Sequence, residues 1–153
     1  MKNVILISLL VLSLSYIYDA NKALEYTNEY CPKSDEEFDS DGFPIFDNDG
    51  AIFVTKCLKA GGFDTSNCLT DDNGIISSTV NLSSCLTQKG WKSSTTFPRK
   101  FRPGYPLIIG SMCFMATEVE GESVKYSSHS FFWMCNDHIS TIVGNGPLYF
   151  YLD

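Results

Sequence analysis

Residues 107–134, LIIGSMCFMATEVEGESVKYSSHSFFWM, hold two β-rich runs, Leu107–Ala116 and Ser123–Met134, on either side of Glu120-Gly121-Glu122. Aliphatic, β-branched and aromatic residues are frequent in both, and a glycine among polar residues between two such runs marks a hairpin. Outward from this pair the chain repeats the same grammar of short runs between turns: Ala51–Cys57, Ile75–Leu82 and Pro147–Leu152, punctuated by Gly61-Gly62 and by Asp71–Gly74 (DDNG). No long helical period stands out, so the expected fold class is mainly β. In the last run Leu148, Phe150 and Leu152 alternate with Tyr149 and Tyr151, which offers one face to a core. The Pro- and Gly-rich segment Phe97–Pro106 (FPRKFRPGYP) divides the runs into two groups, as the hinge of a two-part architecture would.

The N-terminus reads Met1-Lys2-Asn3 and then Val4–Leu12 (VILISLLVL) without a charge. A basic start before a short apolar run is the pattern of a signal peptide, and the uncharged stretch from Asn3 to Tyr18 is shorter than the roughly 20 residues that cross a bilayer. Residues 1–15 are therefore expected to be removed, with cleavage after Ala20 (residues 1–20) as the alternative, and the protein is expected to be secreted without membrane insertion. Residues 16–50 form an expected N-terminal arm, acidic and turn-rich from Lys33 onward, ahead of one domain over residues 51–153. Six cysteines (Cys31, Cys57, Cys68, Cys85, Cys113, Cys135) behind a secretory leader imply up to three disulfides. Gly61-Gly62 offers the reversal that a Cys57–Cys68 bridge requires. The net charge is −7, and loss of Lys2 with the leader makes it −8, which disfavours nucleic acid as a partner because phosphate contacts need a basic face.

Cys68 is followed fourteen residues later by Leu82, at the end of a segment in which Ser78, Val80 and Asn81 precede it, with Leu86 as the next aliphatic. Phe53 stands four residues before Cys57, and the second half closes with Asn136-Asp137-His138-Ile139, Ile142, Gly146, Leu148 and Phe150. In these positions residues 51–153 resemble the cyanovirin-N homology family of small sugar-binding proteins. The resemblance implies a cyanovirin-N-like β domain of two pseudo-repeats with short strands and hairpins. It also implies two carbohydrate sites: one at Asp71, Asp72, Thr141 and Asn145, the other at Thr87, Gln88, Ser94, Thr95, Thr117 and Glu118. This chain departs from the family in several places. Cys57 and Cys68 are closer together than the family's pair, Lys89-Gly90-Trp91 follows Leu86 too soon, and Cys135 takes a leucine position. Side-chain carboxylates and amides on stiff turns suit a hexose, since they accept from and donate to adjacent hydroxyls with little ordering cost.

No catalytic site is legible. Ser128-His129-Ser130 would point a hydroxyl and an imidazole to opposite faces of a strand, and no G-x-S-x-G elbow is present. No metal is expected, because the cysteines lack C-x-x-C spacing and the Asp-rich stretch Glu37–Gly50 lacks the closing glutamate of a calcium loop. No cofactor is implied. Asn81-Leu82-Ser83 is a glycosylation sequon whose amide has an alternative structural use in bonding the following turn. The reading is a secreted carbohydrate-binding protein with glycans or glycoproteins as partners and no catalytic activity. The alternative is a secreted disulfide-rich effector or inhibitor that binds protein.

Overall fold

The computed structural model describes residues 17–33, 50–129, 134–138 and 146–153. The expected leader, most of the expected acidic arm, the calcium-like stretch up to Asp49 and the segment with Thr141 and Asn145 lie outside them. The described chain is a mixed α/β domain, with three helices and one six-stranded antiparallel sheet.

The first helix, α1 (Ala20–Tyr30), takes residues expected in the arm. Asp19 starts it, its carboxylate accepting the backbone N–H groups of Asn21 and Lys22 at 3.1 and 3.2 Å. Ala20, Ala23, Thr27 and Tyr30 recur at helical spacing and face the core.

Helix α2 (Gly50–Ala60) replaces the expected strand Ala51–Cys57. Seven of its residues, Ala51 and Phe53–Leu58, are buried, so it lacks a polar stripe and its sequence reads like a core strand. Gly61-Gly62 caps this helix and does not reverse a hairpin. Gly62 has φ +87° and donates to the Lys59 carbonyl at 2.9 Å, while Phe63 N–H reaches the Leu58 carbonyl at 2.9 Å, together a Schellman motif.

The third helix, α3 (Thr79–Gln88), covers the second half of the expected strand Ile75–Leu82. Ser78 caps its start, and Gly90 (φ +88°) closes its end with the same pair of bonds, Gly90 to Thr87 and Trp91 to Leu86. The early Gly90-Trp91 that breaks the family pattern is thus a helix stop.

The second half of the chain is β. The strands are β1 (Lys92–Ser94), β2 (Pro106–Ile109), β3 (Met112–Glu120), β4 (Ser123–Ser128), β5 (Met134–Asp137) and β6 (Leu148–Tyr151), in the spatial order β1-β6-β2-β3-β4-β5. Two-residue turns join β2 to β3 at Gly110-Ser111 and β3 to β4 at Gly121-Glu122, each with its glycine at positive φ. The C-terminal run pairs within the sheet, inserted between β1 and β2. Helices α1 and α2 pack against β3, and α3 against α2 and β1. An aromatic chain of edge-to-face rings, Tyr149–Phe101–Tyr105–Trp91–Tyr18, runs from the sheet to the start of α1 with centroids 5.0–6.3 Å apart. Much of the high aromatic content is therefore core.

Two disulfides form, Cys31–Cys135 and Cys68–Cys85. The expected Cys57–Cys68 bridge does not. α2 carries Cys57 into the core among Val54 and Leu58, whereas Cys68 lies in the loop that meets the flank of α3. Cys57 and Cys113 are buried thiols. Burial pushes the Cys113 thiol up to about 11 against a smaller lowering by its contact with Thr79, so at pH 8 it carries almost no thiolate. The native protein is expected to resist iodoacetamide at pH 8 and to take up two equivalents once unfolded without reductant. Three or more equivalents would contradict the two bridges. Among the described residues no helix is long and apolar enough to cross a membrane.

Candidate functional site

Strand register decides what the sheet presents on its two faces. Leu107 sits opposite both Phe114 and Tyr149, and Ala116 opposite Tyr126, so Leu107, Ile109, Phe114, Tyr126 and Tyr149 share one face by the pleat. His129 belongs to the other face, where its ring stacks on Phe53 of α2 at 4.0 Å. The helices therefore cover the second face.

The first face carries a hollow of about 240 Å³. Its floor is Leu107, Ile109 and Val124, its wall Tyr126 and Tyr149, and its rim Glu122, Ser123, His138 and Pro147. Phe97 and Phe101 hold the Tyr149 ring edge-to-face at 5.4 and 5.1 Å. Burial, then the neighbouring Tyr149 phenol, push the Tyr126 pKa up, so both hydroxyls stay neutral across the physiological range. Burial raises the Tyr149 pKa, its hydrogen bond with the Tyr126 phenol offsets part of that rise, and the nearby Glu122 carboxylate adds a smaller increase. His138 is fixed by Nδ1 donating to the Val124 carbonyl at 3.1 Å, which leaves Nε2 as its other polar atom. The result is an aliphatic and aromatic seat with a carboxylate, two phenols, a hydroxyl and an imidazole around it. Such a set can grip a small polyhydroxylated ring, and it offers no activated nucleophile.

A larger cleft of about 690 Å³ is lined by Tyr18, Asp19, Lys22, Lys59 and Arg102. It is the socket in which the start of the described chain is seated: the Tyr18 hydroxyl donates to the Gly104 carbonyl at 2.7 Å and the Asp19 N–H to Gly61 at 2.8 Å. Ile17 forms part of its wall.

The residues expected to bind sugar fall elsewhere. Asp71 accepts the N–H groups of Asn73 and Ile75, both at 2.9 Å, with one carboxylate oxygen, so it builds the Asp71–Gly74 turn. Asp72 is exposed on that turn. Thr87 and Gln88 end α3, and Ser94 and Thr95 lie on and just after the edge strand β1. Thr117 is buried and donates to Asn136 Oδ1 at 2.7 Å. Glu118 binds Lys125 at 2.8 Å and Asn136 Nδ2 at 3.1 Å, and these two bonds, Lys125 first, hold its carboxyl below the usual carboxylate range. Two strands separate β1 from β3, so the Ser94 and Thr117 strands lie about 14 Å apart across the sheet at ~4.8 Å per strand, and the register offsets the two residues further along it. The described structure does not bring these two groups together.

Ser128 and His129 serve packing: the Ser128 hydroxyl donates to the Cys113 carbonyl at 2.7 Å, and His129 Nε2 to the Cys31 carbonyl at 2.9 Å. Among the described residues no group of three or more His, Cys, Asp or Glu is placed to hold a metal. The hollow escaped the sequence because its walls come from three strands whose order in space differs from their order in the chain. The one signal was the alternation that set Tyr149 apart from the core-facing Phe150. No protein-family model, no curated protein and no solved structure matches this chain.

Proposed function

We propose that this chain is a secreted carbohydrate-binding protein without turnover, and that its sugar seat is the hollow between β2, β4 and β6. The supporting observation is the pairing of a fixed, half-exposed Tyr149 face with Glu122, Ser123 and His138 at the rim. A sugar presents one C–H face that packs on an aromatic ring and an equator of hydroxyls that needs both donors and acceptors. The hollow is smaller than the roughly 300 Å³ at which drug-sized pockets begin, so it accommodates one ring. About twelve non-hydrogen atoms at about −0.3 kcal/mol each give an affinity on the order of a millimolar, to be raised by multivalent display.

Secretion is supported by the leader-like start and the two disulfides, which form in oxidising compartments. Tyr18 and Asp19 bond Gly104 and Gly61, and Asp19 caps α1, so cleavage after Ala20 would remove all three interactions. Cleavage after Ser15 leaves them intact. The protein-binding reading draws on the exposed large apolar side chains Leu69 and Val80, which a partner would cover.

The test is a multivalent glycan array followed by NMR titration with the monosaccharide of the best ligand. Tyr149→Ala is expected to weaken binding about tenfold, the equivalent of a stacking contact near 1.4 kcal/mol, and Asp71→Ala to leave it unchanged. A folded protein that binds no glycan rejects the carbohydrate reading. Equal binding by wild type and Tyr149→Ala rejects the hollow.

A further inference from the structure

We propose that Asn81 carries an N-linked oligosaccharide, displayed on the first turn of α3. The inference rests on the secretion part of the function above and on none of its sugar-binding part. The sequon Asn81-Leu82-Ser83 has a structural alternative in which the asparagine amide ties down a neighbouring turn. The structure removes that alternative. Asn81 lies inside α3, its backbone N–H takes the Ser78 cap at 3.4 Å, and among the described residues its side-chain amide has no hydrogen-bond partner. An asparagine in a helix is unfavourable by a few tenths of a kcal/mol relative to Ala, and here no bond offsets it.

The helix also sorts the sequon correctly in space. Leu82, Cys85 and Leu86 face the core, fully buried, whereas Val80, Ser84 and Thr87 form an exposed stripe at helical spacing. Asn81 and Ser83 flank that stripe, both half-exposed. Val80 beside the acceptor is 73% exposed, an apolar side chain that a carbohydrate root would cover. The co-reactant is an oligosaccharide on a polyprenyl diphosphate. Asn81 Nδ2 forms a bond to the anomeric carbon, the bond from that carbon to the diphosphate oxygen breaks with its electron pair, and the amide loses a proton to a base of the transferase. The Ser83 hydroxyl serves recognition by that enzyme.

The full chain is expressed in a eukaryotic secretory cell, once with its own leader and once with a strong replacement leader. The protein recovered from the medium is compared by intact mass before and after peptide N-glycosidase. The expected result is one glycan, its removal converting Asn81 to Asp, with loss of the modification in Asn81→Gln and Ser83→Ala and retention in Ser83→Thr. Secreted protein of unmodified mass from the replacement leader overturns the inference, whatever its own leader does. Failure of its own leader alone, with a glycan present under the replacement leader, rejects secretion and upholds the acceptor site. A glycan that persists in Asn81→Gln also overturns the assignment.

Discussion

Removal of Leu148–Asp153 is expected to abolish cooperative folding. β6 lies between β1 and β2, pairing Lys92–Ser94 on one side and Leu107-Ile108 on the other, so its loss cuts β1 off from the sheet and exposes the edge of β2. Phe150 is fully buried, and Leu148 and Tyr149 are half-buried against the core. Full burial of a large side chain contributes about 1.5–3 kcal/mol and half burial about half as much, so the three supply roughly 3–6 kcal/mol of a total stability of about 5–15. Tyr149 also anchors the Phe97 and Phe101 rings, and Asp153 pairs with Lys92 and Lys100. The last two pairs are surface interactions and add little. Circular dichroism with urea titration reads the result: the expected outcome is a sloping trace without a transition. A cooperative transition in the truncated chain would contradict the place of β6 inside the sheet, and Phe150→Ala, with an expected cost of about 3–5 kcal/mol, checks the same point in the full chain.

The sequence revealed the sheet better than the helices, and the reason is periodicity. Leu107–Ala116 and Ser123–Met134 combine β-forming residues around a glycine turn that sets the β3–β4 register, although each single run becomes two strands, the first broken at Gly110-Ser111 and the second ending at Ser128 before β5 starts at Met134, and the C-terminal run was legible from its alternation alone. The helices failed on a different ground in each case. Buried residues all round α2 erase the polar side of the wheel, so its apolar run cannot be told from a strand without the meaning of its stop. That stop was legible as Gly61-Gly62, but a glycine pair serves equally as a hairpin turn and as a Schellman cap. Helix α3 announced itself at both ends, by Ser78 and by Gly90, with Leu82, Cys85 and Leu86 on one face. Reading Ile75–Leu82 as one β-rich run, and Ser78–Leu82 then through the family pattern, masked those caps. The cysteine pairing failed with the helices, because a cysteine on a buried helix face and one in a surface loop eleven residues later have no reason to meet. The candidate seat was the least legible part, since Tyr126, His138 and Tyr149 become neighbours only through the strand order β6-β2-β3-β4-β5.

Replacing Cys31 and Cys135 together by alanine is expected to cost more stability than replacing Cys68 and Cys85. The first bridge spans 104 residues and the second 17. Loop-closure entropy puts their effects on the unfolded chain at about 4.7 and about 3 kcal/mol. Native contacts reinforce the order. Cys31 is the C-cap of α1 and its carbonyl holds the buried His129, while Cys135 sits on β5, which among the described residues pairs with β4 alone. Without the bridge the edge strand keeps one partner, and α1 is held to the sheet by its packing on β3 and the His129 bond without a covalent tie. The short bridge joins the Asn67-Cys68 loop to a helix that Leu82 and Leu86 already seat in the core, so its removal leaves α3 packed. Urea titration of the two double variants under oxidising conditions decides between these cases. A shift of about 4–5 kcal/mol for Cys31→Ala/Cys135→Ala places that chain near the limit of folding, and it should bind fluorescent probes of exposed apolar surface at room temperature. If the short-range variant proves the less stable of the two, chain entropy does not govern these bridges, and the packing of α3 against α2 depends on Cys68–Cys85 more than its buried leucines imply.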